Sequence, residues 1–215
     1  MDKKSSLLES LRQKEFSEEI IKSFSEVKRE DFIFNEFKES AYEDTSLPIG
    51  YGQTISQPYT IAVMLTLLDL KKGQKVLEVG SGCGYAIALI SKIIGESGKA
   101  FGIEIIKELA EMSVKNLKRY KNVFMQNKNG SLGLEEEAPF DRILISASCK
   151  KIPENLALQL KEGGIMVVPI NFGGDSHSII SFKKIKNKIK KIREIKGFLF
   201  VPFIEKNIKS TANAD

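Results

Sequence analysis

A chain of 215 residues, 42% hydrophobic and 28% charged, carries enough apolar material for one core of ordinary domain size. It has no run of about 18 apolar residues to cross a membrane, and its N-terminal stretch MDKKSSLLESLRQKEF lacks the pattern of a secretory signal, so the cytoplasm is the expected compartment. Two cysteines, Cys83 and Cys149, lie at no metal-binding or redox spacing, and the one histidine, His177, reads as structural or exposed, so no metal site, disulfide or histidine-based triad is expected.

Residues 5–27 repeat apolar side chains (Leu7, Leu8, Leu11, Ile20, Ile21, Phe24, Val27) at spacings of three and four around a polar middle, which predicts two helices. Residues 28–37 cluster charges with Phe32, Phe34 and Phe37. Residues 41–57, AYEDTSLPIGYGQTISQ, have neither helical nor strand period, and an irregular segment of that length points to a binding loop. Ser56-Gln57-Pro58 is a helix-start signal, with the Ser56 hydroxyl as a candidate cap and a helix running to about Leu70. From there short apolar strands (75–79, 100–103, 123–126, 141–146, 165–169) alternate with helices (85–94, 107–117, 154–160). That alternation predicts a doubly wound α/β fold, a mostly parallel sheet with helices on both faces.

Toward the C-terminus, the three- and four-residue spacing of Phe182, Ile185, Ile189, Ile192 and Ile195 suits a basic amphipathic helix. Strand composition over 178–182 and 197–203, with a turn at Asn187-Lys188, favours antiparallel strands instead. Eight basic residues from Lys183 to Lys196 face only Glu194, more than the whole-chain excess of +5. They are read as a solvated face, so nucleic acid is not an expected partner. The whole, 1–215, reads as a single domain: helices and a substrate loop over 1–57, an α/β core over 58–170, C-terminal strands over 171–206 and a frayed tail over 207–215. A monomer is expected.

The first strand runs into VLEVGSGCGY, residues 76–85, with glycines at 80, 82 and 84. A dinucleotide fingerprint requires glycine at the sixth position from Gly80, where Tyr85 stands, and no Lys-Ser/Thr pair closes a phosphate loop. Glu78 precedes the loop, and Glu104 ends the second strand, where a carboxylate can accept both hydroxyls of a ribose. Asn129-Gly130 follows the third strand, where enzymes that this loop resembles, the S-adenosylmethionine-dependent methyltransferases, commonly place an adenine contact. A first-strand acid, a GxGxG turn containing Ser81 and a second-strand acid form the arrangement of S-adenosylmethionine-dependent methyltransferases. Gly80, Ser81, Gly82, Gly84, Glu78, Glu104, Asn129 and Gly130 are therefore the candidate cofactor residues.

The acceptor is narrowed by what is absent. The fourth strand ends in Ser146-Ala147-Ser148-Cys149, with neither the Asn/Asp-Pro-Pro-aromatic signature of base-amine methylation nor a Pro-Cys nucleophile. No evident base could deprotonate an alcohol. A carboxylate, with a pKa of about 4, needs none.

The segments YEDTSLPIGYGQTISQPYTIA, VLEVGSGCGY, FGIEIIKELAEMSVKNL, EEEAPFDRILISAS, QLKEGGIMVVP and FVPF, with VKREDF upstream, resemble the protein-L-isoaspartate O-methyltransferase family over about residues 7–203. The resemblance implies methyl transfer from S-adenosylmethionine to the α-carboxylate of isoaspartyl residues in damaged proteins and peptides. S-adenosylhomocysteine is left, and the ester collapses to a succinimide. It also implies that Thr54, Ile55 and Ser56 border the acceptor, with the Ser56 hydroxyl as the catalytic contact. The chain departs from the family where Lys128-Asn129-Gly130 replaces Gly-Asp-Gly, an exchange expected to weaken cofactor binding by on the order of 1 kcal/mol. Two alternatives stay open, the same fold acting on another acceptor such as RNA, and a cofactor-binding protein without turnover.

Overall fold

The computed structural model describes residues 2–204; the frayed tail expected after Lys206 lies outside the described residues. Two helices open the chain as the spacing predicts, α1 (Lys3–Gln13) and α2 (Glu18–Glu26). Asp2 caps α1 by accepting the Ser5 N–H at 2.9 Å, and the chain breaks between the helices where Glu15 takes a φ of 59°. Their buried faces, Leu7 and Leu11, then Ile20, Ile21 and Phe24, join the main core.

The expected irregular segment contains a short antiparallel hairpin, β1 (Leu47–Gly50) and β2 (Gln53–Ile55). Strands of four and three residues are too short to display an alternation. The hairpin turns through Tyr51 and Gly52, both at positive φ. Helix α3 (Pro58–Leu68) begins at the expected proline and ends at Asp69, which is left-handed. Its cap differs from the expectation. The N-cap residue is Gln57 rather than Ser56, and its side chain makes no capping bond. The Tyr59 N–H donates instead to Asp44 Oδ1 at 2.8 Å. A carboxylate from the preceding loop thus supplies what the local hydroxyl was expected to supply.

Beyond α3 the chain alternates β3 (Lys75–Val79), α4 (Tyr85–Ile94), β4 (Lys99–Glu104), α5 (Lys107–Asn116), β5 (Val123–Asn127), β6 (Phe140–Ile145), α6 (Glu154–Gln159) and β7 (Leu160–Ile170). It closes with β8 (His177–Ile185) and β9 (Lys188–Phe198). The seven strands form one sheet in the order β5-β4-β3-β6-β7-β8-β9; β3 to β7 pair in parallel and β8 and β9 antiparallel. Val76, Ala100, Leu144 and Val167 join the buried side chains of α3, α4 and α5 in one core. Their neighbours Leu77, Phe101, Ile143 and Met166 point the other way and form a second core with Leu134 and Leu156. This period-two division is the signature of a sheet covered on both faces, and the expected doubly wound α/β class is the observed one.

Three boundaries differ from the sequence reading. Helix α6 stops at Gln159 and β7 begins at Leu160, with its register against β6 broken between Phe140 and Arg142. The last hairpin turns at Lys186-Asn187, one residue early, because Lys186 and Asn187 both take positive φ and the Glu162 carboxylate accepts both their N–H groups, at 2.6 and 3.1 Å. Two left-handed residues make the turn that matches strand twist. Lastly, of the expected strand 197–203 only Gly197 and Phe198 belong to a strand: β9 ends at Phe198, and residues 199–204 continue as a strap across the carboxyl end of the sheet. Ser148 fixes the strap by donating its N–H to Val201 O and accepting the Phe203 N–H, each at 2.9 Å.

Candidate active site

The cofactor candidates singled out from sequence lie at and just beyond the carboxyl ends of β3, β4 and β5, beside the crevice that such sheets leave open. After β3 the chain must reverse tightly, and Gly80, Gly82 and Gly84 all take positive φ there. The Gly80 and Ser81 N–H groups both donate to Ile103 O, at 2.8 and 3.1 Å, so the turn is pinned to β4. The glycines do different jobs. Gly80 and Gly82 line a cleft of about 540 Å³. Gly84 does not line it: a Cβ there would lie 2.7 Å from the Leu117 side chain, so its smallness serves packing of the loop against the end of α5.

Glu104 is buried and lines the same cleft. Its Oε2 accepts the Gly82 N–H and its Oε1 the Ile106 N–H, each at 2.9 Å. Burial pushes its pKa up and the amide bonds oppose that shift. Each oxygen keeps a second acceptor direction for a hydroxyl. Glu78 is 1% exposed, receives the Ser146 hydroxyl at 2.6 Å on Oε1, and has no hydrogen-bond partner for Oε2 among the described residues. Burial raises its pKa to about 7, the Ser146 bond offsets part of the shift, and the negative charge of Glu104 adds to it.

On the third strand's loop, Gly130 lines the cleft, and a Cβ on it would lie 2.2 Å from Val79 Cγ1. Asn129 does not line it; its Oδ1 accepts from the Ser131 N–H at 3.0 Å and the Ser131 hydroxyl at 2.9 Å, capping the turn over Gly130–Leu132. Asparagine and aspartate cap about equally well. Asn129 thus holds this turn as an aspartate would.

Opposite the glycine loop, β2 brings Thr54 and Ile55 to the site, and Ser56 follows directly after it. Thr54 reaches the cleft, Ile55 and Ser56 line a smaller space beneath the glycine loop together with Ser81, and Ser56 also lines a wider outer cleft of about 1010 Å³ with Gln57, Thr60 and the strap. Thr54 and Ser146 line all three spaces and so mark their junction. No lysine or arginine among the described residues lines any of them. No group of three or more potential metal ligands occurs among the described residues either.

Three contributors escaped the sequence reading. Ser146 was visible only as the end of a strand. The strap walls the cleft with Val201, Pro202, Phe203 and Ile204. Arg29, fully buried, donates from Nη1 to Ala41 O at 2.9 Å and Glu43 O at 3.4 Å, and from Nη2 to Thr45 O at 2.8 Å and Ser56 O at 3.1 Å. One guanidinium thus ties both ends of the substrate loop through carbonyls. Burial lowers its pKa. The only sequence signal was a charged residue placed just before a long loop, in VKREDF.

The sequence profile of the Protein-L-isoaspartate(D-aspartate) O-methyltransferase (PCMT) family matches residues 2–208. The chain belongs to that family. It is 45% identical over 206 residues to the protein-L-isoaspartate O-methyltransferase of Methanothrix thermoacetophila, covering 95% of this chain and 96% of the relative. It is 47% identical over 178 residues to protein-L-isoaspartate O-methyltransferase 2 of Archaeoglobus fulgidus, covering 81% and 80%. Among solved structures, a protein-L-isoaspartate O-methyltransferase superposes with a TM-score of 0.84 at 31% identity, matching 93% of this chain and 65% of that longer one. A Plasmodium falciparum structure described as a protein-L-isoaspartate O-methyltransferase in complex with S-adenosyl-L-homocysteine gives 0.82 at 28% identity, covering 96% and 100%.

Proposed function

We propose that the protein moves the methyl group of S-adenosylmethionine to the α-carboxylate of L-isoaspartyl residues in damaged proteins and peptides, with the cofactor held at the glycine loop and the acceptor at Thr54–Ser56. The observation that carries this reading is the junction: within a chain of this family, Thr54 and Ser146 wall both the cleft of the glycine loop and the outer cleft.

The residues present fit the cofactor. The unpartnered Glu78 Oε2 suits an ammonium, the Glu104 oxygens suit two ribose hydroxyls, and Gly80, Gly82 and Gly130 leave room for a ligand against the backbone. The absence of lining cations among the described residues suits a ligand without phosphate. S-adenosylmethionine supplies a methyl group already activated on a sulfonium. The chain's own task is then positional. The acceptor carboxylate is ionised at neutral pH and needs no base. Ser56 donates its hydroxyl to one carboxylate oxygen, so that the other is aligned for attack, and Thr54 holds the chain at the junction. The strap and β1 restrict water around a charged nucleophile. Once formed, the ester collapses to the succinimide without help from the protein.

The same reading takes residues 1–215 as one methyltransferase domain, acting as a monomer in the cytoplasm and not on nucleic acid. Among the described residues no helix is long and apolar enough to cross a membrane. The basic hairpin supports the reading in part: Lys184 Nζ donates to the carbonyls of Ala157, Leu158 and Leu160 at the end of α6, and Lys191 pairs with Glu194 at 3.0 Å. Lysines on an exposed edge strand also discourage pairing with other chains.

The deciding experiment offers purified protein, with labelled S-adenosylmethionine, an isoaspartyl peptide and its normal aspartyl twin. Label is expected in the first alone. Equal labelling of both, or of neither while the cofactor binds, would remove this acceptor, and label in added RNA would replace it.

A further inference from the structure

The strap has a third anchor. The Phe200 N–H donates to His177 Nδ1 at 3.1 Å, and the two rings lie 6.4 Å apart and inclined by only 16°. His177 opens β8, is buried, and is the chain's one histidine. A backbone N–H can only donate, so Nδ1 must be unprotonated and a neutral ring carries its proton on Nε2. The bond spans the gap between the last ladder pair of β9, His177 with Phe198, and the Ser148 bonds that fix Val201 and Phe203. Phe200 lines the outer cleft, and its neighbour Val201 lines both the outer cleft and the glycine-loop cleft.

We propose that His177 is a positioning residue for both ligands: by accepting the Phe200 N–H it sets the strap whose Val201 is a wall common to the cofactor and acceptor spaces. The proposal rests on the functional reading above. Without the acceptor nitrogen the Phe200 N–H is left unpaired, the segment from Leu199 to Val201 shifts, and the same wall is lost to cofactor and acceptor together. Affinity for S-adenosylhomocysteine and KM for the isoaspartyl peptide therefore worsen in parallel, by about three- to tenfold, the range of one hydrogen bond. The kcat, governed by groups at Thr54–Ser56, falls less.

Two variants of the full chain separate the bond from the ring. His177→Phe keeps the stack on Phe200 and loses the acceptor; His177→Asn loses the ring but sets an amide oxygen near the position of Nδ1. The readouts are S-adenosylhomocysteine affinity by calorimetry, peptide kinetics, melting temperature, and the ¹⁵N spectrum of the imidazole, which is unambiguous in a chain with one histidine. The phenylalanine variant should lose affinity for both ligands, and the asparagine variant should stay within about twofold of wild type. The spectrum at neutral pH should show Nδ1 without a proton. A phenylalanine variant that binds normally, equal losses in both variants that track a fall in melting temperature, or an Nδ1–H tautomer would each overturn the proposal. Wild-type protein that binds S-adenosylhomocysteine but labels no isoaspartyl peptide would sink the acceptor reading instead, leaving His177 to be judged on affinity and tautomer.

Discussion

Glu78 is the residue whose environment departs furthest from what a carboxylate prefers. It is buried, close enough to Glu104 to feel its charge, and holds one hydroxyl, from Ser146, against a desolvation cost that lifts its pKa from 4.5 to about 7. In the unfolded chain the same group ionises near 4.5, so between roughly 4.5 and 7 the folded state holds the proton more tightly. Stability therefore falls as pH rises through that window and levels off above it, with a contribution on the order of 2 to 3 kcal/mol. Urea unfolding at pH 5 and pH 8 measures this, and Glu78→Gln should remove most of the slope. Binding should run the opposite way. An ammonium against Oε2 favours the charged carboxylate, so S-adenosylhomocysteine affinity should climb as pH rises through about 7 in wild type and stay flat in the glutamine variant. A flat wild-type profile would place the ammonium elsewhere. Ser146→Ala should raise the Glu78 pKa further and move both midpoints upward.

At the level of elements, the substrate loop is held by groups remote from it in sequence. Arg29 serves four carbonyl oxygens spread from Ala41 to Ser56, and Asp44 caps α3 from fifteen residues upstream. Lysine, a point donor on a flexible stem, cannot reproduce the planar fork. Arg29→Lys should lower stability by on the order of 2 to 3 kcal/mol, because buried carbonyls lose their donors. It should also raise KM for the isoaspartyl peptide by roughly tenfold, more than it weakens S-adenosylhomocysteine binding, since the loop carries Ser56 but only part of the cofactor wall. A folded lysine variant with unchanged KM would mean that the loop is held without Arg29. These long-range ties also explain what could be read beforehand. Strands β3, β4 and β6 are legible because each is a buried apolar run ended by glycine, acid or serine at the sheet's edge. The glycine loop and Glu104 are legible because cofactor binding needs them at fixed local spacing. The hairpin β1–β2 is not, because its strands are too short to alternate, and the Lys186-Asn187 turn, the cap on α3 and the strap are not, because Glu162, Asp44 and Ser148 determine them from elsewhere in the chain. Spacing in one segment carries no record of such partners. The helical period from Phe182 to Ile195 misleads for the same reason: pairing of β8 with β7, and of β9 with β8, at the sheet's edge outweighs it.

Across the whole molecule, the cleft is a meeting place of segments far apart in the chain: Ile49 to Thr54, the glycine loop, Glu104 to Ile106, Gly130, Ser146 and the strap. A ligand that fills it ties all of them to the folded state. At about a hundredfold excess over its dissociation constant, S-adenosylhomocysteine should add about 2.7 kcal/mol, a rise in melting temperature of about 5 to 10 °C for a chain of this size. Electrostatics should make the effect selective. The excess positive charge of the molecule lies in the hairpin of β8 and β9, while Glu78 and Glu104 line the spaces at the glycine loop and no lysine or arginine among the described residues does. A phosphate there would meet carboxylates with no cation to offset them. ATP and NAD should therefore raise the melting temperature no more than adenosine does. The comparison belongs at about 0.15 M salt or above, where loose attraction of anions to the exposed lysines is screened. A stabilisation by ATP equal to that by S-adenosylhomocysteine would mean that the glycine loop accepts phosphate, and the assignment of Glu78 to an ammonium would have to be given up with it.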